Sequence, residues 1–286
     1  VGRPNVGKST LTNALVGEKI AIVSNKPQTT RNRICAVVNR NDCQYVFLDT
    51  PGLHKARTKL GDYMVKVVRQ SVADVDAVLL LAEPIPHIGG PEAELIGRIQ
   101  QLGAPAVLVI NKIDTVEKEQ LLAVMQTYGQ AHDFNAILPI SAKTGEGVEE
   151  LLDLLAAFLP EGPQLFPEDM VTDQPERQVC AEILREKLLL CLDKEIPHGT
   201  AVEITRFSER DNEIIDLDAT IYCEKASHKG IIIGKGGAML KKISTLARTD
   251  IEAFMGTKVF LQTWVKVKEN WRDNLNLIHN FGYKDE

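Results

Sequence analysis

Long apolar runs are missing from this 286-residue chain; those that occur, such as residues 77–82, are far too short to span a bilayer. Cysteine is scarce and scattered, with five residues at positions 35, 43, 180, 191 and 223 and no Cys-x-x-Cys pair. That pattern excludes a disulfide framework and reads as reduced, mostly buried cytosolic thiols. The six histidines lack any His-x-x-x-His spacing, so no protein-held zinc site is expected. No secretory signal is visible, though the chain begins one residue before a phosphate loop, and no internal repeat or low-complexity tract is seen. What is present is 44% hydrophobic and 25% charged, the balance of a globular protein long enough for two domains. The net charge of −6 argues weakly against nucleic acid. The average conceals Lys225, Lys229, Lys235, Lys241, Lys242 and Arg248, a stretch without a single Asp. Such a basic face on an acidic chain suits contact with a phosphate backbone.

Up to about residue 160, short apolar runs alternate with amphipathic segments, which predicts an α/β sheet. Strands are expected at 45–48, 77–82, 106–110 and 137–140, and helices at 8–16, 61–72, 92–102, 117–128 and 148–158. Prolines at 160, 163 and 167 then mark an extended linker. The expected division is a domain over 1–160, a linker over 161–174 and a second domain over 175–286. In the second, helices at 176–192, 229–233, 238–249 and 270–279 and strands at 200–207, 213–223 and 258–267 give a small α+β domain.

Four motifs stand in order in the first domain. Gly2-Arg3-Pro4-Asn5-Val6-Gly7-Lys8-Ser9-Thr10 is a phosphate loop. Its glycines let backbone N–H groups curl into a nest, and the helix starting at Lys8 adds its positive end. Lys8 is expected on the β- and γ-phosphates and the Ser9 hydroxyl on Mg²⁺. Such a loop follows a strand, so the true N-terminus is expected upstream of Val1. Asp49-Thr50-Pro51-Gly52 supplies a carboxylate to the metal's water shell and a Gly52 N–H to the γ-phosphate. Gly52 has no side chain in the way of that approach. Within Pro27-Gln28-Thr29-Thr30-Arg31 a second metal-binding hydroxyl is expected, with Thr30 slightly favoured over Thr29. Lys8, Thr30 and Gly52 are the catalytic candidates, and Ser9, Thr30 and Asp49 the metal set.

The base is chosen by Asn111-Lys112-Ile113-Asp114 and Ser141-Ala142-Lys143. Two Asp114 oxygens match the donors of guanine N1–H and its exocyclic amine, whereas adenine would leave that carboxylate unpaired, at roughly 10⁴-fold in discrimination. Asn111 is expected on the other base edge, the Lys112 stem over the ring, and the Ala142 N–H on guanine O6. The quartet points to a GTP-driven switch.

Downstream, Gly234-Lys235-Gly236-Gly237 stands between two predicted helices. With the basic stretch and the helix-strand-strand-helix-helix-strand order it reads as the single-strand RNA clamp of a type II KH domain. Lys229, Ile232, Gly234, Lys235, Gly236, Gly237 and Lys241 are the RNA-binding candidates, with Ile231, Ile232 and Ile233 as a floor for bases. Trp264 and Trp271 read as core aromatics rather than stacking platforms.

On residues 2–10, 27–31 and 49–53 and the glycine cluster, the chain resembles the Era-like GTPases over nearly its whole length. The resemblance implies an α/β P-loop GTPase domain, mostly parallel with flanking helices, followed by the KH domain. It implies slow GTP hydrolysis to GDP with Mg²⁺, and K⁺ held near Asn5 in place of an arginine finger. Leu53 replaces the usual water-orienting Gln, with His54, Arg31 and Arg33 as weaker accessory candidates. The implied partners are the 3′ end of 16S rRNA and the 30S subunit, whose maturation the protein assists. A cytoplasmic monomer that binds no DNA and associates loosely with the inner membrane is also implied, although no basic amphipathic helix marks the last. The alternative is an RNA-binding adaptor in which GTP is structural and hydrolysis negligible.

Overall fold

The computed structural model describes residues 1–26, 28–52, 58–70, 75–210 and 213–283. The expectations at Pro27, Leu53 and His54 fall outside them. The chain divides into two compact units.

The first unit comprises Val1–Ala21, Thr30–Lys55 and Met64–Asp173. Its described elements run α1 (Lys8–Val16), β1 (Ile34–Arg40), β2 (Cys43–Asp49), then α2 (Lys59–Gln70), which straddles the unit boundary, and β3 (Val78–Ala82). They continue with α3 (Gly90–Leu102), β4 (Ala106–Ile110), α4 (Lys118–Ala131), β5 (Ala136–Pro139) and α5 (Val148–Leu155). Strands β3, β4 and β5 form a parallel sheet in that order, and β1 and β2 an antiparallel pair. β4 is apolar at every position and buried throughout, as the central strand of a parallel sheet must be. α1 stops at Gly17 and α3 at Gly103, both in the left-handed region that glycine enters without strain. Val1 runs beside β3, its carbonyl accepting the Leu81 N–H at 2.9 Å. A cavity of about 300 Å³, lined by Leu11, Leu15, Phe47, Leu79, Leu81 and Leu155 among others, lies between β2 and β3.

The second unit comprises residues 174–286 together with Ile22–Thr29 and Ala56–Tyr63. It contains α6 (Glu176–Cys191), β6 (Ala201–Glu209), β7 (Ile215–Cys223), α7 (Ala226–Ile233), α8 (Ala238–Met255), β8 (Val259–Val267) and α9 (Leu275–Asn280). β6 and β7 are antiparallel, β7 and β8 parallel. Leu184 and Leu188 of α6 and Ile243, Ala247 and Ile251 of α8 meet Leu217, Ala219 and Ile221 of β7 in one core. The helix spacing of four residues lines those side chains along one face. The predicted helix at 270–279 is a short 3₁₀ turn at Trp271–Asp273 and then α9. Trp271 is fully buried, donates Nε1–H to the Gly199 carbonyl at 2.9 Å and lies against Phe281 and Tyr283.

Two short segments from early in the chain are part of this unit. The Val23 N–H donates to Glu186 Oε1 at 2.9 Å, and Arg185, entirely buried, pairs with Glu182 and donates to the Thr29 carbonyl. The Lys59 N–H donates to Asp273 Oδ1 at 3.0 Å, and the Tyr63 and Tyr283 rings lie 6.3 Å apart.

Candidate functional site

The loop from Gly2 to Ser9 turns sharply because Asn5 (φ 67°) and Gly7 (φ 97°) adopt left-handed conformations. A Cβ on residue 7 would overlap the Asn111 amide, so only glycine fits there. Lys8 opens α1 and arches back over the loop, donating Nζ–H to the carbonyls of Gly2 (3.2 Å) and Arg3 (2.8 Å). Burial pulls its pKa down to about 8, with the Asp49 charge opposing the shift. Pro4 underlies Gly52: a Cβ on residue 52 would stand 2.8 Å from the Pro4 nitrogen. Val6 is wholly buried, leaving only its backbone to face the loop, while Thr10 on α1 is half-buried.

The three metal candidates converge. Ser9 Oγ donates to Asp49 Oδ2 at 2.8 Å and lies 2.9 Å from Thr30 Oγ1. Thr29 instead donates its hydroxyl to the Lys26 carbonyl at 2.6 Å, which separates the two threonines that sequence alone leaves nearly level. Asp49 is buried, and its Oδ1 lacks a hydrogen-bond partner among the described residues, as does Thr50 Oγ1 beside it. Burial pushes the Asp49 carboxyl above the usual range, against the pull of Lys8 and the Ser9 hydrogen bond. Two hydroxyls and a carboxylate with a spare buried oxygen suit a hard divalent cation. Pro51 is buried next to them.

On the base side the structure ties the Asn111 motif to both neighbouring loops. Asn111 is 2% exposed, and its amide is committed at both ends: Nδ2–H donates to the Val6 carbonyl at 2.8 Å and Oδ1 accepts the Ala142 N–H at 2.9 Å. Asn111 therefore braces the phosphate loop against the 141–143 loop, and its Nδ2 carries a second N–H besides the one given to Val6. The Ala142 N–H is engaged with Asn111 Oδ1. Asp114 accepts the hydroxyl proton of fully buried Ser141 on Oδ1 at 2.7 Å, which fixes the carboxylate plane. Lys112 (φ 67°) sends its ammonium to Glu83 at 2.6 Å, and Lys143 is exposed. Glu83 and Glu92 were not read from the sequence. Arg3 pairs with both, at 3.1 and 2.9 Å. Glu83 follows the C-terminal end of β3, where ligand sites of α/β sheets gather, so position was the available signal.

In the second unit, Gly234 (φ 74°), Gly236 (φ 59°) and Gly237 (φ 80°) carry the chain from α7 into α8. A Cβ on Gly234 would stand 2.8 Å from that of Met239, so the turn is tight enough to require glycine. Lys235 and Lys241 are exposed and Lys229 is half-buried. Ile232 is 0% exposed and belongs to the core, so it is not part of a floor for bases; Ile231, its neighbour, is 50% exposed. Trp264 is 43% exposed, unlike buried Trp271.

Comparison with known proteins follows this geometry closely. Residues 1–112 match the family model described as 50S ribosome-binding GTPase, and residues 195–272 match a KH domain model. GTPase Era of Ruminiclostridium cellulolyticum is 51% identical over 284 residues, covering 99% of this chain and 95% of that protein. The chain belongs to the Era GTPase family. Era of Clostridioides difficile is also 51% identical, over 100% of this chain. An Aquifex aeolicus Era variant solved with GDP·AlF₄⁻ superimposes with a TM-score of 0.95 at 38% identity, covering 99% of this chain and 97% of that one. Era solved with MgGDPNP and nucleotides 1506–1542 of 16S ribosomal RNA has the same TM-score and coverage at 37% identity.

As an Era-family protein the chain is a guanine-nucleotide-binding GTPase carrying a KH domain, and the expected fold class stands. Among the described residues no helix is long and apolar enough to cross a membrane.

Proposed function

We propose that this protein is a GTP-hydrolysing switch that binds single-stranded RNA at the 3′ region of 16S rRNA and assists maturation of the 30S subunit. The convergence of Ser9, Thr30 and Asp49 carries the reading, because it joins the phosphate loop to the two segments able to sense a γ-phosphate. Mg²⁺ would be held through Ser9 and Thr30, with Asp49 ordering its water shell; when bound it neutralises charge on the β- and γ-oxygens. Lys8 supplies a cation to the same oxygens. The Gly52 N–H, packed on Pro4, faces the terminal phosphate and loses its partner when that group leaves. Asp114, oriented by Ser141, selects guanine.

RNA is proposed to lie along Gly234-Lys235-Gly236-Gly237 with Lys229 and Lys241 on its phosphates, supported by the Era structure with 16S rRNA nucleotides. The proposed division is a G domain over 1–160, a linker over 161–174 and a KH domain over 175–286. A cytoplasmic monomer with loose peripheral contact to the inner membrane follows from the family resemblance, as does K⁺ beside Asn5. Phosphate release from GTP tests the central reading, with Lys8→Ala as control and Na⁺ compared with K⁺. Release no faster than the control would leave an RNA-binding adaptor, and equal rates in the two salts would dismiss K⁺. Crosslinking to 16S rRNA in GTP and in GDP tests the switch; the same yield in both would sink it.

A further inference from the structure

The geometry points to Glu83 as a positioning residue that sets how long the guanine nucleotide stays bound, an inference that rests on the nucleotide site described above. Glu83 follows directly on β3 and uses both carboxylate oxygens. Oε1 accepts the Lys112 Nζ–H at 2.6 Å and Oε2 accepts the Arg3 Nη2–H at 3.1 Å. One side chain thereby joins the base-side motif to the phosphate loop. Arg3 is held from a second side by Glu92, 3% exposed on α3, where Gly89 leaves room: a Cβ there would stand 2.8 Å from Glu92 Oε2. The Arg3 carbonyl in turn accepts Lys8 Nζ at 2.8 Å.

Among the described residues two ties thus join the halves of the nucleotide bed. Asn111 makes the buried one, through the Val6 carbonyl, and Glu83 makes the half-exposed one. Fixing the Lys112 ammonium fixes the four-carbon stem that lies over the base. Without Glu83 the stem regains its rotamers, and Arg3 keeps only Glu92. Ion pairs of this exposure are individually weak, so the expected effect is modest and falls on release. GDP and GTP share the bed and should be affected equally.

The test is stopped-flow release of fluorescent GDP and GTP analogues from the full chain, comparing wild type, Glu83→Gln, Lys112→Met and the double variant. Glu83→Gln should speed release of both nucleotides roughly 3–10-fold with little change in association. The double variant should release no faster than the quicker single one, because both remove one tie. Wild-type release should quicken with added KCl, and the Glu83→Gln rate should respond far less. Release within twofold of wild type, additive effects in the double variant, or equal salt slopes would overturn the assignment. A wild type that binds neither analogue would instead remove the nucleotide reading beneath it.

Discussion

The Asn111 side chain holds the Val6 carbonyl at 2.8 Å, so the residue that opens the base-side motif is fastened to the floor of the phosphate loop. Its other end holds the Ala142 N–H. Asn111→Ala strands two buried backbone groups at once, at a cost of about 1–3 kcal/mol each. Urea denaturation of the nucleotide-free protein should show that loss, and GDP affinity should fall along with stability. An unchanged urea midpoint would show that the amide is not a brace.

Asp114 acts on the ligand instead. Asp114→Asn replaces an acceptor with a donor opposite the guanine amine, so GTP affinity should drop roughly 10³-fold or more. Xanthine carries a carbonyl at that position and should be bound better than guanine. Calorimetry with GTP, XTP and ATP reads the switch, while the urea midpoint should hardly move.

Lys8 gives the site a pH signature. Burial lowers its pKa from about 10.5 to about 8. The folded group thus loses its proton at lower pH than the unfolded one. Burying the charged ammonium costs stability in full below pH 8, and that cost is relieved between about 8 and 10.5, so this group's contribution rises with pH. Phosphate binding favours the protonated form, so GDP affinity should be level below pH 8 and fall above it. Titrations at pH 8.5 in buffers of different ionisation enthalpy should show proton uptake on binding. No uptake would mean that Lys8 is already charged in the free loop.

In the second unit neighbouring isoleucines should separate cleanly. Ile232→Ala opens the core and should cost about 2–5 kcal/mol of stability. Ile231→Ser should leave stability nearly unchanged and weaken RNA binding. Lys235→Glu should weaken RNA binding and flatten its salt dependence by about one phosphate contact. Fluorescence anisotropy across a KCl series distinguishes the three; loss of RNA binding with Ile232→Ala and no loss of stability would return that side chain to the floor under the bases.

Features resting on local chemistry were legible in the sequence. The run at 106–110 has the unbroken apolar character of a doubly covered strand, and the phosphate loop announces itself by glycine spacing. β1 went unread although Asn41-Asp42 joins it to β2 as a two-residue connection. The three isoleucines at 231–233 span about 200° of helix, so they could not all face one way. The roles of Asn111 and Glu83 depend on partners 105 and 80 positions away, and no local pattern carries such distances.

Val23 and Thr29 lie early in the chain, yet the side chains that hold them lie on α6, with the Val23 partner 163 positions later. At synthesis rates of about 5–20 residues per second, roughly 8–30 seconds pass before Glu186 exists. Until then Val23 and Thr29 lack the partners that Glu186 and Arg185 supply. A ribosome stalled before α6 would expose a protein whose phosphate loop is complete while Val23 and Thr29 still lack the partners that α6 supplies.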